Sequence, residues 1–115
     1  MEIDVTSVGS SGVMLVRVRG RIVDGKPAAE LRATLDKLSR ERKLRNIIDL
    51  EGVSWFDSVG IGILVHHYVS ISGRGGKLLL MNASEKMRKL IAMVHLTDRF
   101  GWADNLDDAI QWLEK

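Results

Sequence analysis

The stretch Asn46-Ile47-Ile48-Asp49-Leu50-Glu51-Gly52-Val53-Ser54-Trp55-Phe56-Asp57-Ser58-Val59-Gly60-Ile61-Gly62-Ile63-Leu64 decides how this chain is read. It opens with a short apolar run, Asn46 to Leu50, broken only by Asp49, which reads as a strand. It closes on a segment whose residues Ile61, Leu64, Val65 and Tyr68 recur at helical spacing. Asp57 or Ser58 stands where a helix start needs an acceptor for its free N–H groups. A strand feeding a helix through a loop, here Leu50 to Ser58, is the repeating unit of an α/β fold.

The flanks extend that unit. Upstream, Met1 to Thr6 alternates polar and apolar residues, Ser10-Ser11-Gly12 reads as a turn, and Val13 to Arg19 alternates again. These segments predict a hairpin. Pro27 suits a first helical turn, and Leu31, Leu35 and Leu38 line one face of a helix that runs to about Lys43. Downstream, Gly73 to Gly76 stops the central helix and Leu78 to Met81 reads as a buried strand. Ser84 caps a helix with Met87, Leu90, Ile91 and Val94 on its apolar face. Asn105 with Asp108 resembles a capping box for a last helix carrying Leu106, Ala109, Ile110 and Leu113. The predicted order is β-β-α-β-α-β-α-(β)-α. This is a single α/β domain over residues 1–115, with a small mixed sheet (an initial hairpin, then parallel strands) and about four helices. Sites in such sheets lie outside the carboxyl ends of the parallel strands, which points to the Leu50 to Ser58 segment.

Composition narrows the function. The 115 residues carry 17 Lys and Arg against 15 Asp and Glu, for a net charge of +2, so the clustered basic excess of a nucleic-acid binder is missing. There is no cysteine, which removes thiol catalysis and thiolate metal sites and agrees with a reducing, cytoplasmic setting. No segment approaches the ~20 apolar residues of a membrane span, and the N-terminus lacks the pattern of a secretory signal. Membrane insertion is therefore not expected. Trp102 and Trp112 are read as core, and oligomeric state is left open.

Three motifs fail their chemistry. Gly73-Arg74-Gly75-Gly76-Lys77 has Ile71 where a phosphate loop needs glycine and Leu78 where it needs Ser or Thr. It also joins helix to strand, so it reads as a turn. His66 and His67 point about 100° apart on a helix and have no acidic neighbour within the following turn, so with His95 they read as surface or half-buried residues and no metal is expected. Ser58 lacks the glycine two residues before it that a hydrolase elbow requires, since Phe56 stands there. No cofactor and no catalysis are expected.

Ser58 itself remains. A small hydroxyl, the glycines Gly60 and Gly62 and the aromatic Trp55 and Phe56 make a docking spot at a helix start. A phosphate there would add about −1.5 to −2 charge beside Asp57. One hydroxyl would then switch an interface without refolding the domain.

At these residues the chain resembles the STAS domain, shared by bacterial anti-sigma factor antagonists and sulfate transporter tails. The matching pattern is Leu50, Val53, the apolar pair Trp55-Phe56, Asp57-Ser58, Gly60, Ile61, Gly62 and Leu64. The likeness extends from Gly20 through Gly75-Gly76, Leu78 to Met81, Ser84 and the Met87 to Leu96 segment. Two positions differ. Val59 replaces the motif's second hydroxyl residue, and the acid after the second strand, Asp24, comes one place late behind Gly20-Arg21-Ile22-Val23.

The resemblance implies partner switching. The unphosphorylated protein would bind an anti-sigma factor that is also a serine kinase. Phosphorylation at Ser58 would release it, and a serine phosphatase would reset it. The implied contact residues are Trp55, Asp57, Ser58, Val59, Gly60, Gly20 and Asp24. Some proteins of this kind serve instead as non-catalytic subunits of lipid-transport ABC complexes or as stress-signalling scaffolds, and Val59 leans toward that alternative.

Overall fold

The computed structural model describes all 115 residues, Met1–Lys115. Its elements are β1 (Glu2–Val8), β2 (Val13–Ile22), α1 (Lys26–Arg40), β3 (Arg45–Phe56), α2 (Ser58–Ser72), β4 (Lys77–Met81), α3 (Glu85–Met93), a 3-10 turn (Thr97–Arg99), β5 (Gly101–Ala103) and α4 (Leu106–Glu114). The sheet order is β1-β2-β3-β4-β5, with β1 antiparallel to β2 and the remaining neighbours parallel. The mixed sheet, its hairpin and the four helices are those expected from the sequence. The bracketed strand is real but only three residues long.

Both faces of the sheet are covered, unequally. Met14, Val16, Val18, Ile48, Leu78 and Leu80 point to one side, where α1, α2 and α3 close a core of 20 buried residues. Val13, Leu15, Ile47, Leu79 and Met81 point to the other, where α4 closes a smaller core through Ala109 and Leu113. Strand alternation explains the division, since successive side chains leave the sheet on opposite faces. Trp102 packs on the larger core and Trp112 on the smaller, each only partly buried.

Two helices end earlier than the sequence predicts. α1 stops at Arg40, because Arg42 adopts φ 59° and Lys43 N–H and Arg42 N–H donate back to Leu38 and Ser39 carbonyls. α3 stops at Met93 in the same way. His95 adopts φ 59°, Leu96 N–H donates to Ile91 and His95 N–H to Ala92. This is the left-handed C-terminal motif usually built on glycine. Neither segment offers a glycine there, so the stop was not signalled. As a result Val94, assigned above to the apolar face, is a cap residue 46% exposed.

Strand β3 departs further. The Leu50 to Ser58 segment, read as a loop, is strand through Phe56. Its partner β2 supplies the reason. β2 runs to Ile22, and Arg21 pairs with Trp55 and Ile22 with Phe56, across register shifts at Arg17/Arg19 and Gly20/Arg21. Only Asp57 separates the strand from α2.

Candidate functional site

The carboxyl end of β3 aims the chain into α2, and Asp57 organises the junction. Its backbone is extended, and its Oδ1 accepts from the Val59 N–H at 3.0 Å and the Gly60 N–H at 3.1 Å. Its Oδ2 accepts from the Asp24 N–H at 3.0 Å. The Asp57 N–H in turn donates to the Ile22 carbonyl at 3.1 Å. One carboxylate therefore caps the helix and ties the β2–α1 loop to it. The Asp24 N–H first, then those of Gly60 and Val59, hold the Asp57 carboxyl below its usual range.

That division of labour leaves Ser58 free. It is the first residue of α2, exposed, and the capping bonds belong to its neighbour. Of the two candidate caps, Asp57 is the cap and Ser58 the presented hydroxyl. Val59 is half-buried and packs against the larger core. Trp55 is 46% exposed, with the Lys86 ammonium 3.3 Å from the centre of its ring. Asp24 reaches the site through its backbone, while its side chain accepts from the Gly25 N–H at 2.9 Å.

Two predicted contact residues have internal duties. Gly60 is buried, and a Cβ there would lie 2.8 Å from Ile22 Cγ2 and 3.0 Å from the Ile22 carbonyl oxygen. The close approach it permits is by its own chain. Gly20 sits back along β2 opposite Val53, at φ 102°, with Met1 Cα 3.2 Å from where a Cβ would stand. It makes room for the start of β1 rather than joining the α2 end.

The groove beside Ser58 has no signal in the sequence. A trough of about 660 Å³ runs between α2 and α3, walled by Trp55, Ile61, Val65, Leu90, Met93 and Leu96. Asp57, Ser58, His66 and Lys86 supply its polar atoms. Each wall has a helical apolar stripe that the sequence reading assigned to core. Ile61 is buried, but Leu90 is only half-buried and Val94, which also lines the trough, is 46% exposed. Only the separation of the two helices opens the trough.

The histidines also part ways. His66 is exposed on the groove, whereas His67 is buried at 2% exposure and its Nε2 lies 2.6 Å from Asn46 Oδ1. The surface or half-buried reading fails for His67 because Asn46, at the start of β3, offers it a buried acceptor. Asn46 Nδ2 donates to the Lys43 carbonyl, so its own amide is satisfied on both sides. His67 Nδ1 has no partner, and burial pushes the imidazole pKa down to about 4.

This arrangement, a mixed five-stranded sheet with an Asp-capped helix presenting a serine, coincides with a known family. Residues 4–109 match the STAS domain. The chain belongs to the STAS domain family. An anti-sigma F factor antagonist of Paenibacillus polymyxa is 26% identical over 104 residues, covering 90% of this chain and 88% of its own length. The structure of an anti-sigma factor antagonist from Mycobacterium paratuberculosis superimposes with a TM-score of 0.81 at 25% identity, over 99% of this STAS domain and 96% of that chain. The phosphorylated form of the Bacillus cell fate determinant SpoIIAA shares the fold, with a TM-score of 0.80 at 19% identity over 96% and 98% of the two chains. No helix here is long and apolar enough to cross a membrane.

Proposed function

We propose that this STAS domain is a non-catalytic anti-sigma factor antagonist of the cytoplasm, switched at Ser58. The observation that carries the reading is the split between Asp57 and Ser58. The aspartate makes the cap bonds, so the serine hydroxyl stands exposed and its modification leaves the helix start intact. The likeness to the Paenibacillus antagonist supports the same role.

In this mechanism the unphosphorylated α2 end docks against an anti-sigma factor that is also a serine kinase. Trp55, Asp57, Ser58 and Val59, with the Asp24 loop, form the contact. The kinase supplies ATP. Ser58 Oγ bonds to the γ-phosphorus, the bond to ADP breaks, and the hydroxyl proton passes to a base on the kinase. The new dianion sits beside the Asp57 carboxylate, which is already ionised well into the acid range. The α2 dipole tolerates the charge locally, but a partner packed on it would have to desolvate two adjacent anions, and it lets go. A serine phosphatase restores the binding form.

The test is a pull-down from the source cell with wild-type, Ser58→Ala and Ser58→Asp baits. Wild type and Ser58→Ala are expected to hold an ATP-binding anti-sigma factor that Ser58→Asp releases. If all three hold the same partner, such as a transporter ATPase, the domain is a structural subunit. The half-buried Val59, which offers no second hydroxyl, favours that second reading.

A further inference from the structure

Helix α3 carries three cations, Lys86, Arg88 and Lys89. Lys89 pairs with Glu85 at 3.5 Å and Arg88 with Asp104 at 3.6 Å. Lys86 takes part in none of the chain's ion pairs. Its ammonium lies instead over the Trp55 ring, 3.3 Å from the centre. Its place in the helix adds to that isolation. Lys86 follows the Ser84 cap and Glu85 as the second residue of α3, where the helix dipole favours an anion and disfavours a cation.

The same lysine stands at the Ser58 end of the trough. Trp55, Asp57, Ser58 and Lys86 line it together, and Lys86 is the only Lys or Arg in its wall. Trp55, Ser58 and Lys86 are all exposed. Asp57 does not take the ammonium from the ring, because its oxygens accept three backbone N–H groups. Those N–H groups hold its carboxyl below the usual range, and no cation is among the causes. An unpaired positive charge therefore waits where a phosphate on Ser58 would appear.

Resting on the reading of Ser58 as the phosphoacceptor, we infer that Lys86 is the intramolecular receiver of the Ser58 phosphate and leaves the Trp55 ring to pair with it. An ammonium over an exposed aromatic face is held weakly. A phosphate offers it about −1.5 to −2 charge and three acceptor oxygens. The flexible lysine stem makes the exchange by turning about its own bonds, so neither helix has to move. Asp57 and the dianion together still outweigh one cation, so the negative charge that expels the partner remains. Trp55, a proposed contact, loses its cation and its indole face is bared. One phosphorylation thus alters the contact surface at two places, the start of α2 and the end of β3.

The experiment uses the full chain with Ser58 carried as genetically encoded phosphoserine, so no kinase is needed. NMR reads the Lys86 ε-methylene protons, which the Trp55 ring current moves upfield while the ammonium lies over the ring. The unmodified protein is expected to show that shift, and Trp55→Leu to remove it. The phosphoserine protein is expected to lose it and to regain it after enzymatic dephosphorylation. A phosphorus NMR titration supplies a second readout. Lys86→Gln raises the affinity of the phosphate for its last proton about threefold, because an adjacent cation favours the dianion. Lys89→Gln, on the same helix but paired with Glu85, leaves that affinity unchanged. Both lysines are exposed, and circular dichroism of the two variants should match wild type. The inference is overturned if the upfield shift survives phosphorylation, or if the two lysine variants move the phosphate equally. If Ser58→Asp releases the partner in the pull-down while Lys86 stays on the ring, the switch stands and the receiver falls. If Lys86 leaves the ring but Ser58→Asp releases nothing, the receiver stands and the switch falls.

Discussion

The two halves of α2 answer different demands. From Ser58 to Gly62 the helix presents an exposed hydroxyl and a bare backbone beside an open trough, held by the Asp57 cap. From Ile63 to Ser72 it is anchored. Ile63, Leu64, His67 and Ile71 are buried, and the turn that follows is so close that a Cβ on Gly76 would lie 2.5 Å from the Leu44 carbonyl oxygen. The contrast teaches how a short helix can offer a surface without losing its place. Burial at one end supplies the free energy, and the other end is left for recognition. Elements that bind partners are commonly the less buried parts of a fold.

The contrast breaks most severely at the anchored end. Ile71 is fully buried in the larger core, and Ile71→Ala is expected to cost about 3–4 kcal/mol. Urea denaturation should show the midpoint falling with an unchanged slope. A loss below about 1 kcal/mol would mean that the anchored half is no more essential than the presented one.

The next effect depends on pH. His67 titrates near 6.5 when unfolded and at about 4 in the fold, because burial disfavours the charged ring. Asp36 acts against that shift, and His66 adds to it. Above pH 6.5 both states hold a neutral ring and stability is unaffected. Between 6.5 and 4 the unfolded chain takes up a proton that the folded chain refuses, so stability falls, and below 4 the loss is complete. The gap corresponds to about 3 kcal/mol. The difference in urea stability between wild type and His67→Leu, followed from pH 7.5 to pH 4, should carry this slope. A flat difference would show that water reaches the ring.

The smallest effect sharpens the comparison within the presented half. Gly60→Ala forces a methyl against Ile22 and should destabilise by about 1–2 kcal/mol. Gly62→Ala meets open space and should stabilise by about 0.5–1 kcal/mol. Thermal midpoints that move in the same direction would sink the distinction between the filled glycine and the open one.

Much of this was legible beforehand, and the misses share a cause. Ser84 and Asn105 cap their helices as read, with side chains accepting from the Met87 and Asp108 N–H groups. The Gly73 to Gly76 segment is the helix-to-strand turn expected. These features join residues a few positions apart. The length of β3, by contrast, depends on pairing with Arg21 and Ile22 more than thirty residues upstream. The burial of His67 depends on Asn46, 21 residues away. The close approaches that Gly20 and Gly60 permit within the chain, by Met1 and Ile22, likewise join residues far apart in sequence.

Read alone, the chain determined the element order, the α/β class, the two-faced strands and the Asp57-Ser58 junction. Capping, dipole and side-chain alternation act within a turn of helix or a pair of strand residues, and those signals survive in one dimension. Tertiary structure alone decided that Asp57 caps while Ser58 is displayed, that Gly60 is filled against while Gly62 is left open, and that α2 and α3 stand apart around a groove. Each of those outcomes is set by which distant side chain comes to lie against which backbone, and that is a property of packing in three dimensions.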